Sequence, residues 1–122
     1  MKLGDAFRMG VPPKYNVRHL FFVISDPAQN GGTFVIVNIT TDYIRAGREC
    51  VLRIGDHPWI TAESFVTFRD ARKITPPVAV NLCSLIGSEV FMEEPLEPAV
   101  LARIIEAARG SRSLAPAFKK YL

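Results

Sequence analysis

The sequence predicts a small domain of mainly β structure, an antiparallel barrel or sandwich with a helix near its C-terminal end. Two apolar runs rich in Val, Ile and Phe, Leu20–Ile24 and Thr33–Ile39, have the composition of buried strands. Shorter strand-like runs separated by closely spaced turns lie before and after them. A helical repeat of apolar residues follows between Glu97 and Arg109. These three observations indicate the α+β class, with strands dominating.

The two apolar runs are predicted to form a β-hairpin at the centre of the sheet. Their connecting loop, Asp26–Gly32, contains Pro, Asn and two Gly, which are typical turn residues. Neither run alternates between apolar and polar residues, so both faces of each strand are expected to be covered. In an antiparallel hairpin the start of one strand lies beside the end of the other. Arg18 and Thr41 should therefore be neighbours in space.

The other elements predicted before residue 77 are short and follow one another closely. They are an opening strand at Leu3–Met9, a loop at Gly10–Val17, a polar connection with one helical turn at Asp42–Glu49, a third central strand at Cys50–Ile54 and a strand at Phe65–Ile74. Pro12 and Pro13 are expected to keep their loop out of regular structure. Trp59 and Ile60 are expected to return the chain to the core.

The C-terminal third of the chain has a helical character. Apolar residues recur at helical spacing within Glu97–Arg109, with Pro98 in the first turn and Gly110 as a stop signal. The run Val78–Val90 fits either a strand or a short helix. We expect a single domain over residues 1–110, followed by a basic and apolar tail, 111–122, that suits one further short helix.

Composition limits the classes of protein to consider. The chain has 122 residues, of which 48% are apolar, enough for one buried core. No signal peptide and no membrane-spanning run are evident, and Cys50 and Cys83 lie in apolar segments without metal-type spacing. We therefore expect a cytoplasmic protein with two buried, reduced cysteines and no membrane partner. The net charge of +3 permits a polyanionic partner without requiring one.

No nucleotide-binding, zinc or serine-hydrolase motif is present, so the candidates for chemistry are polar residues at predicted strand ends. These are Arg18, His19, Thr40, Thr41, Asp56, His57 and Ser64. Arginine binds phosphate, histidine transfers protons near neutral pH, and hydroxyl groups bind phosphate oxygens. Such a set suits cleavage of an RNA phosphodiester. Each residue also has an ordinary structural interpretation, as a surface charge, a turn residue or a cap.

In its order of segments, the chain resembles the PemK/MazF-like toxins of bacterial toxin–antitoxin systems. The resemblance lies in Gly4-Asp5 opening a strand, Arg18 before an apolar strand, and a second strand that ends in Asn38-Ile39-Thr40-Thr41. A corner at Ser64 and the C-terminal helix complete it, over roughly residues 3–109. The resemblance implies an SH3-like barrel that forms a homodimer and cleaves single-stranded RNA without a metal or other cofactor. It also implies an antitoxin protein whose disordered tail covers the RNA groove.

The same resemblance suggests roles for individual residues. Arg18 would stabilise the phosphate and take part in proton transfer, and Thr41 or Thr40 would hold a phosphate oxygen. His57 is proposed on its chemistry alone as a general acid or base. The residues expected to bind substrate are Lys14, Tyr15, His19, Thr40 and Ser64. The candidates for stacking on RNA bases are Tyr15, Tyr43 and Trp59.

Two other classes of function remain open at the level of sequence. The barrel could be a non-catalytic module that binds a nucleic acid or a protein through its basic loops, because folds of this kind host many functions. It could also be a subunit of a larger assembly, anchored through its apolar tail. A nuclease requires Arg18, a threonine hydroxyl and a proton-transfer group in one cleft, whereas a binding module could leave them scattered.

Overall fold

The computed structural model describes all 122 residues as a mixed α+β domain built on one six-stranded antiparallel sheet. The strands are β1 (Ala6–Val11), β2 (Lys14–Val23), β3 (Phe34–Thr40), β4 (Val51–Leu52), β5 (Ser64–Ile74) and β6 (Val90–Glu93). The helices are α1 (Tyr43–Ala46), α2 (Pro76–Ser84), α3 (Pro98–Gly110) and α4 (Pro116–Lys119), with one 3₁₀ turn at Pro27–Gln29. The order of strands across the sheet is β4-β5-β3-β2-β1-β6.

The predicted central hairpin is confirmed. Strands β2 and β3 pair antiparallel, with Phe21 opposite Asn38 and Val23 opposite Ile36. Both faces of the hairpin are buried, as the absence of alternation predicted. A larger apolar cluster on one face packs against Val100 and Ile104 of α3, and a smaller cluster on the other face packs against Leu82 of α2.

The predicted loop at Gly10–Val17 is wrong, because β1 and β2 continue into a tight hairpin. Gly10 lies opposite Arg18 and Val11 lies opposite Lys14, so only Pro12 and Pro13 form the turn. Proline is tolerated there because turn residues need not donate a ladder hydrogen bond. A Cβ atom at Gly10 would come within 1.9 Å of the Tyr15 carbonyl oxygen, so the hairpin closes only with glycine at this position.

The sheet is not closed into a barrel, so the predicted barrel is wrong. The predicted third central strand is also wrong, because the strand in that segment lies at an edge of the sheet. Strand β4 has only two residues and forms one edge of the sheet, while β6 forms the other. The loop after β4, residues 53–63, connects to the β6 end through side chains. The His57 ring bonds to the Glu94 carbonyl oxygen and the Trp59 indole bonds to Glu93. Side-chain hydrogen bonds therefore join regions that a barrel would join by a strand ladder.

The C-terminal region is part of the domain. Helix α3 is confirmed, and α2 shows that the first part of the ambiguous segment is helical. Within the tail, Leu114 is 2% exposed and belongs to the larger apolar cluster. Glu49 accepts hydrogen bonds from the Ser111 hydroxyl and the Arg112 backbone N–H, at 2.9 and 2.8 Å. Burial alone would raise the pKa of Glu49, but these hydrogen bonds outweigh it and lower the pKa.

The two cysteines differ in environment. Cys50 is buried as expected, and burial raises the pKa of its thiol to about 11. Cys83 is exposed on α2, so the prediction that both are buried is wrong. No helix in the structure is long and apolar enough to cross a bilayer.

Candidate functional site

A cleft of about 250 Å³ lies where the central hairpin strands begin and end. Arg18 lies where β2 emerges from the core, and Thr41 directly follows β3. Both residues line the cleft, as antiparallel pairing predicts. The remaining lining residues are Arg8, His19, Leu20, Ile39, Thr40, Trp59, Thr61, Ala62 and Ser64. The structure thus brings together Arg18, His19, Thr40, Thr41 and Ser64 from the set that the sequence suggested.

One wall of the cleft consists of Arg18, His19 and Thr41, which we call the free wall. Arg18 is exposed, its side chain forms no hydrogen bond or ion pair within the protein, and its Cζ atom lies 4.4 Å from the centre of the Phe91 ring. The side chains of His19 and Thr41 likewise form no hydrogen bond within the chain. All the polar groups of this wall therefore remain available to a ligand.

Two of the other hydroxyl groups in the cleft, those of Thr40 and Ser64, have partners within the protein. Thr40 Oγ1 accepts a hydrogen bond from the Asp42 backbone N–H at 3.1 Å, which supports the start of α1. Ser64 Oγ donates to the Ala62 carbonyl oxygen at 2.9 Å. This geometry distinguishes Thr41 from Thr40, which the sequence could not do. Of these two neighbouring threonines, Thr41 is the one whose hydroxyl has no partner in the protein.

His57 lies outside this cleft, contrary to its expected place beside Arg18. It is 3% exposed, and its ring packs edge-on against Phe22. Its Nδ1 accepts from the Trp59 backbone N–H at 3.1 Å, so Nε2 is the donor to the Glu94 carbonyl oxygen at 2.7 Å. Both ring nitrogens are therefore used in fixing the loop. His19 is the histidine that the structure places beside Arg18.

A second wall of the cleft consists of Arg8 and Trp59 together with Glu93, which binds both; we call these three residues the braced wall. Arg8 Nε donates to Glu93 Oε1 at 2.9 Å, and Trp59 Nε1 donates to Glu93 Oε2. The Arg8 guanidinium also lies 4.0 Å from the centre of the Trp59 ring, a cation–π distance. Burial tends to raise the pKa of Glu93, but hydrogen bonds from Arg8 and Trp59 outweigh it and lower the pKa.

The braced wall was not among the groups that the sequence suggested. Arg8 pairs with Phe91 of β6, and Ala6 pairs with Glu93, over a separation of more than eighty residues along the chain. The available signal was the position of Arg8 two residues after the buried Ala6, which places a charge on the core-facing side of β1. Trp59 was expected in the core but is 48% exposed and lines the cleft.

A second groove of about 620 Å³ adjoins the cleft and shares His19 and Thr40 with it. Lys14, Arg45 and Arg72 line this groove, and Arg45 is paired with Asp70 at 3.0 Å. Lys14 therefore lies beside the cleft rather than in it. Tyr15 faces a separate apolar hollow with Met9 and Leu82, so Lys14 and Tyr15, both expected to bind substrate, lie on two different surfaces.

No group of three or more His, Cys, Asp or Glu side chains is arranged to hold a metal ion. In comparisons with known proteins, no protein-family model matches the chain, and no curated protein matches it.

Proposed function

We propose that this protein is a toxin-type, metal-independent endoribonuclease that cleaves single-stranded RNA. The observation that carries the proposal is the free wall, where Arg18, His19 and Thr41 meet in one open cleft without partners in the protein. It supplies the three groups that RNA cleavage requires: a fixed cation, a hydroxyl donor and a proton-transfer group. The open antiparallel sheet with its C-terminal helix is compatible with a PemK/MazF-like, SH3-like classification, which is part of the proposal.

Each residue of the free wall has a role in the proposed reaction. Arg18 binds the non-bridging oxygens of the scissile phosphate with its planar donor fork and stabilises the additional negative charge of the phosphorane. Thr41 donates a hydrogen bond to one of those oxygens. His19, in place of His57, accepts the proton of the 2′-hydroxyl.

The proposed reaction balances without a co-reactant. The O2′ atom forms a bond to phosphorus as its proton moves to His19, and the bond between phosphorus and O5′ breaks. The leaving O5′ takes up the proton from the His19 imidazolium. The products are a 2′,3′-cyclic phosphate and a 5′-hydroxyl terminus.

The proposed cellular setting follows the same resemblance. We propose a cytoplasmic homodimer that an antitoxin protein inhibits by occupying the cleft. The net charge of +3 and the unpaired Arg18 suit an acidic antitoxin segment as well as RNA. The molar mass in solution, measured by light scattering on the purified protein, tests the homodimer: about twice the chain mass supports it and the chain mass itself contradicts it.

A non-catalytic module that binds single-stranded nucleic acid is the second candidate. The position of His57 favours it, because the cleft then contains one histidine rather than two. The adjoining groove with Lys14 and Arg72 would extend the basic surface along a bound strand. A protein of this kind would bind RNA but release it uncut.

The test is cleavage of mixed-sequence single-stranded RNA in EDTA by the unmutated protein and by Arg18→Ala, His19→Ala and Arg112→Ala. Arg112 is a matched control, because its side chain is exposed and lines neither the cleft nor the groove. We expect the Arg18 and His19 variants to lose activity while the Arg112 variant retains it. A single 2′-deoxy nucleotide 5′ of the cut should block cleavage there. RNA that is bound but uncut would instead support the binding module.

A further inference from the structure

Trp59 is an exposed aromatic residue in a loop that is otherwise anchored in the protein core. His57 and Ile60 are each 3% exposed, whereas Trp59 is 48% exposed. It lines the same cleft as Arg18 and Thr41. A large aromatic surface therefore lines the cleft together with the proposed phosphate-binding groups. Single exposed apolar residues are common on proteins, and exposure alone indicates no ligand.

The second observation is that the ring is fixed. The Trp59 indole N–H donates to Glu93, its backbone N–H donates to His57 Nδ1, and the Arg8 guanidinium lies 4.0 Å from the ring centre. Arg8 is itself held by Glu93 at 2.9 Å. A side chain that is already ordered loses little conformational entropy when a ligand stacks on it. With Arg8 against one face of the ring, the other face is a prepared flat surface rather than part of a mobile side chain.

We propose that Trp59 stacks against one unpaired base of the RNA strand whose phosphate lies at Arg18 and Thr41. This inference rests on the proposed binding of single-stranded RNA at the cleft. Bases of an unpaired strand can turn outward and stack on aromatic rings, and the interaction tolerates every base because each has a π face. Trp59 thus contributes affinity and positions the strand, while Arg18, His19 and Thr41 carry out the chemistry.

The direct test uses the fact that Trp59 is the only tryptophan in the chain. The unmutated protein is titrated with a six-nucleotide RNA that is 2′-O-methylated throughout and cannot be cut. Binding is measured independently by anisotropy of a fluorophore at the RNA end. Stacking predicts that indole fluorescence is quenched with the same Kd as the anisotropy change. Unchanged indole fluorescence at saturating RNA would overturn the stacking proposal.

Variants give a second, independent test. Trp59→Ala is expected to raise the Kd roughly tenfold, because stacking on one base is removed, and Trp59→Phe should restore most of the affinity. The matched control is Tyr43→Ala. The sequence suggested Tyr43 as a stacking residue as well, but the structure places it outside the cleft. Tyr43 is also 48% exposed and also lies beneath an arginine, Arg48 at 4.4 Å. Its removal should leave the Kd unchanged.

An abasic scan identifies the stacked base and separates the two proposals. One position should exist where removing the base weakens binding to the unmutated protein but not to Trp59→Ala. If no such position exists and Trp59→Ala binds normally, while cleavage still depends on Arg18, the stacking proposal is wrong and the nuclease stands. Absence of any anisotropy change with the unmutated protein would overturn both.

Discussion

The two walls of the cleft each contain an arginine, but the two arginines are in opposite states. In the braced wall, Arg8, Trp59 and Glu93 satisfy one another, whereas the free wall has no partners in the protein. Both walls place an arginine near the Phe91 ring, Arg8 at 5.8 Å and Arg18 at 4.4 Å. An arginine that is matched by a carboxylate supports the structure, whereas an unmatched one can bind an incoming anion. From this difference we infer that the braced wall contributes to stability and the free wall to the proposed chemistry.

The largest expected effect tests the two arginines against each other. Arg18→Ala should lower the cleavage rate by about 100-fold or more, the cost of removing a main transition-state charge partner, with no change in Tm. Arg8→Ala should lower the free energy of unfolding by about 1–2 kcal/mol, because Glu93 loses its cation in a half-buried site. Single-turnover kinetics and denaturant melts measure the two effects. An equal loss of unfolding free energy in both variants would contradict the different roles assigned to Arg8 and Arg18.

The two histidines sharpen the comparison through stability. His57→Ala removes a buried ring with two hydrogen bonds and should cost about 2–4 kcal/mol of unfolding free energy. His19→Ala should change stability by less than about 0.5 kcal/mol, since the ring has no partner in the protein. Chemical denaturation gives both values. A His57→Ala variant that is as stable as the unmutated protein but cleaves RNA more slowly would indicate that His57 takes part in catalysis.

The two threonines give a smaller contrast within the cleft. Thr41→Val keeps the shape of the side chain and removes an unoccupied hydroxyl, so cleavage should fall by about tenfold, the equivalent of one hydrogen bond to a charged group. Thr40→Val removes the acceptor for the Asp42 N–H and should affect stability more than the rate. Rates at saturating RNA, with Tm as a control, distinguish the two. Equal losses of rate would mean that both hydroxyls bind the phosphate.

The smallest expected effect is the pH dependence of stability due to Glu93. Its pKa is lowered in the folded protein relative to the ordinary value of 4.5, so the unfolded chain binds the proton more readily. The charged Glu93 carboxylate therefore stabilises the folded protein fully above the unfolded pKa, and this contribution is lost as the pH falls through the lower pKa of the folded protein. Glu93→Gln should flatten the fall in unfolding free energy as the pH drops below the ordinary carboxyl pKa of 4.5.

Asp56 provides the matched control for Glu93. Its pKa is also lowered, because the hydrogen bond from Arg103 and the charge of that arginine outweigh burial, but it does not line the cleft. Asp56→Asn should flatten the same pH profile without changing the RNA affinity. An unchanged pH profile in Glu93→Gln would show that the carboxylate contributes no stability through its charge.

The sequence predicted the parts of the fold that depend on local pattern. The central hairpin, helix α3 and the proximity of Arg18 to Thr41 follow from apolar runs, helical spacing and antiparallel geometry. The tight turn at Pro12 and Pro13 was missed because proline was interpreted as a breaker of both strands rather than as the turn between them.

The rest depends on long-range contacts that no local pattern contains. The pairing of β1 with β6 brings Glu93 to Arg8, and only that pairing makes Trp59 part of the cleft. The direction of the His57 side chain is likewise set by Phe22 and the Glu94 carbonyl, which are remote in sequence. Residue type alone could suggest that a histidine takes part in catalysis but could not determine which one.

The open sheet has a consequence for how the protein behaves among its neighbours. An unclosed sheet leaves backbone carbonyl and amide groups at its edges, to which a foreign strand can add. Here β4 is only two residues long, and Arg103 donates to the Val51 carbonyl oxygen at 3.2 Å. Beyond β6, the ring of His57 occupies the Glu94 carbonyl oxygen. The contacts that substitute for barrel closure therefore also occupy sites through which copies of the chain could add strand to strand and aggregate.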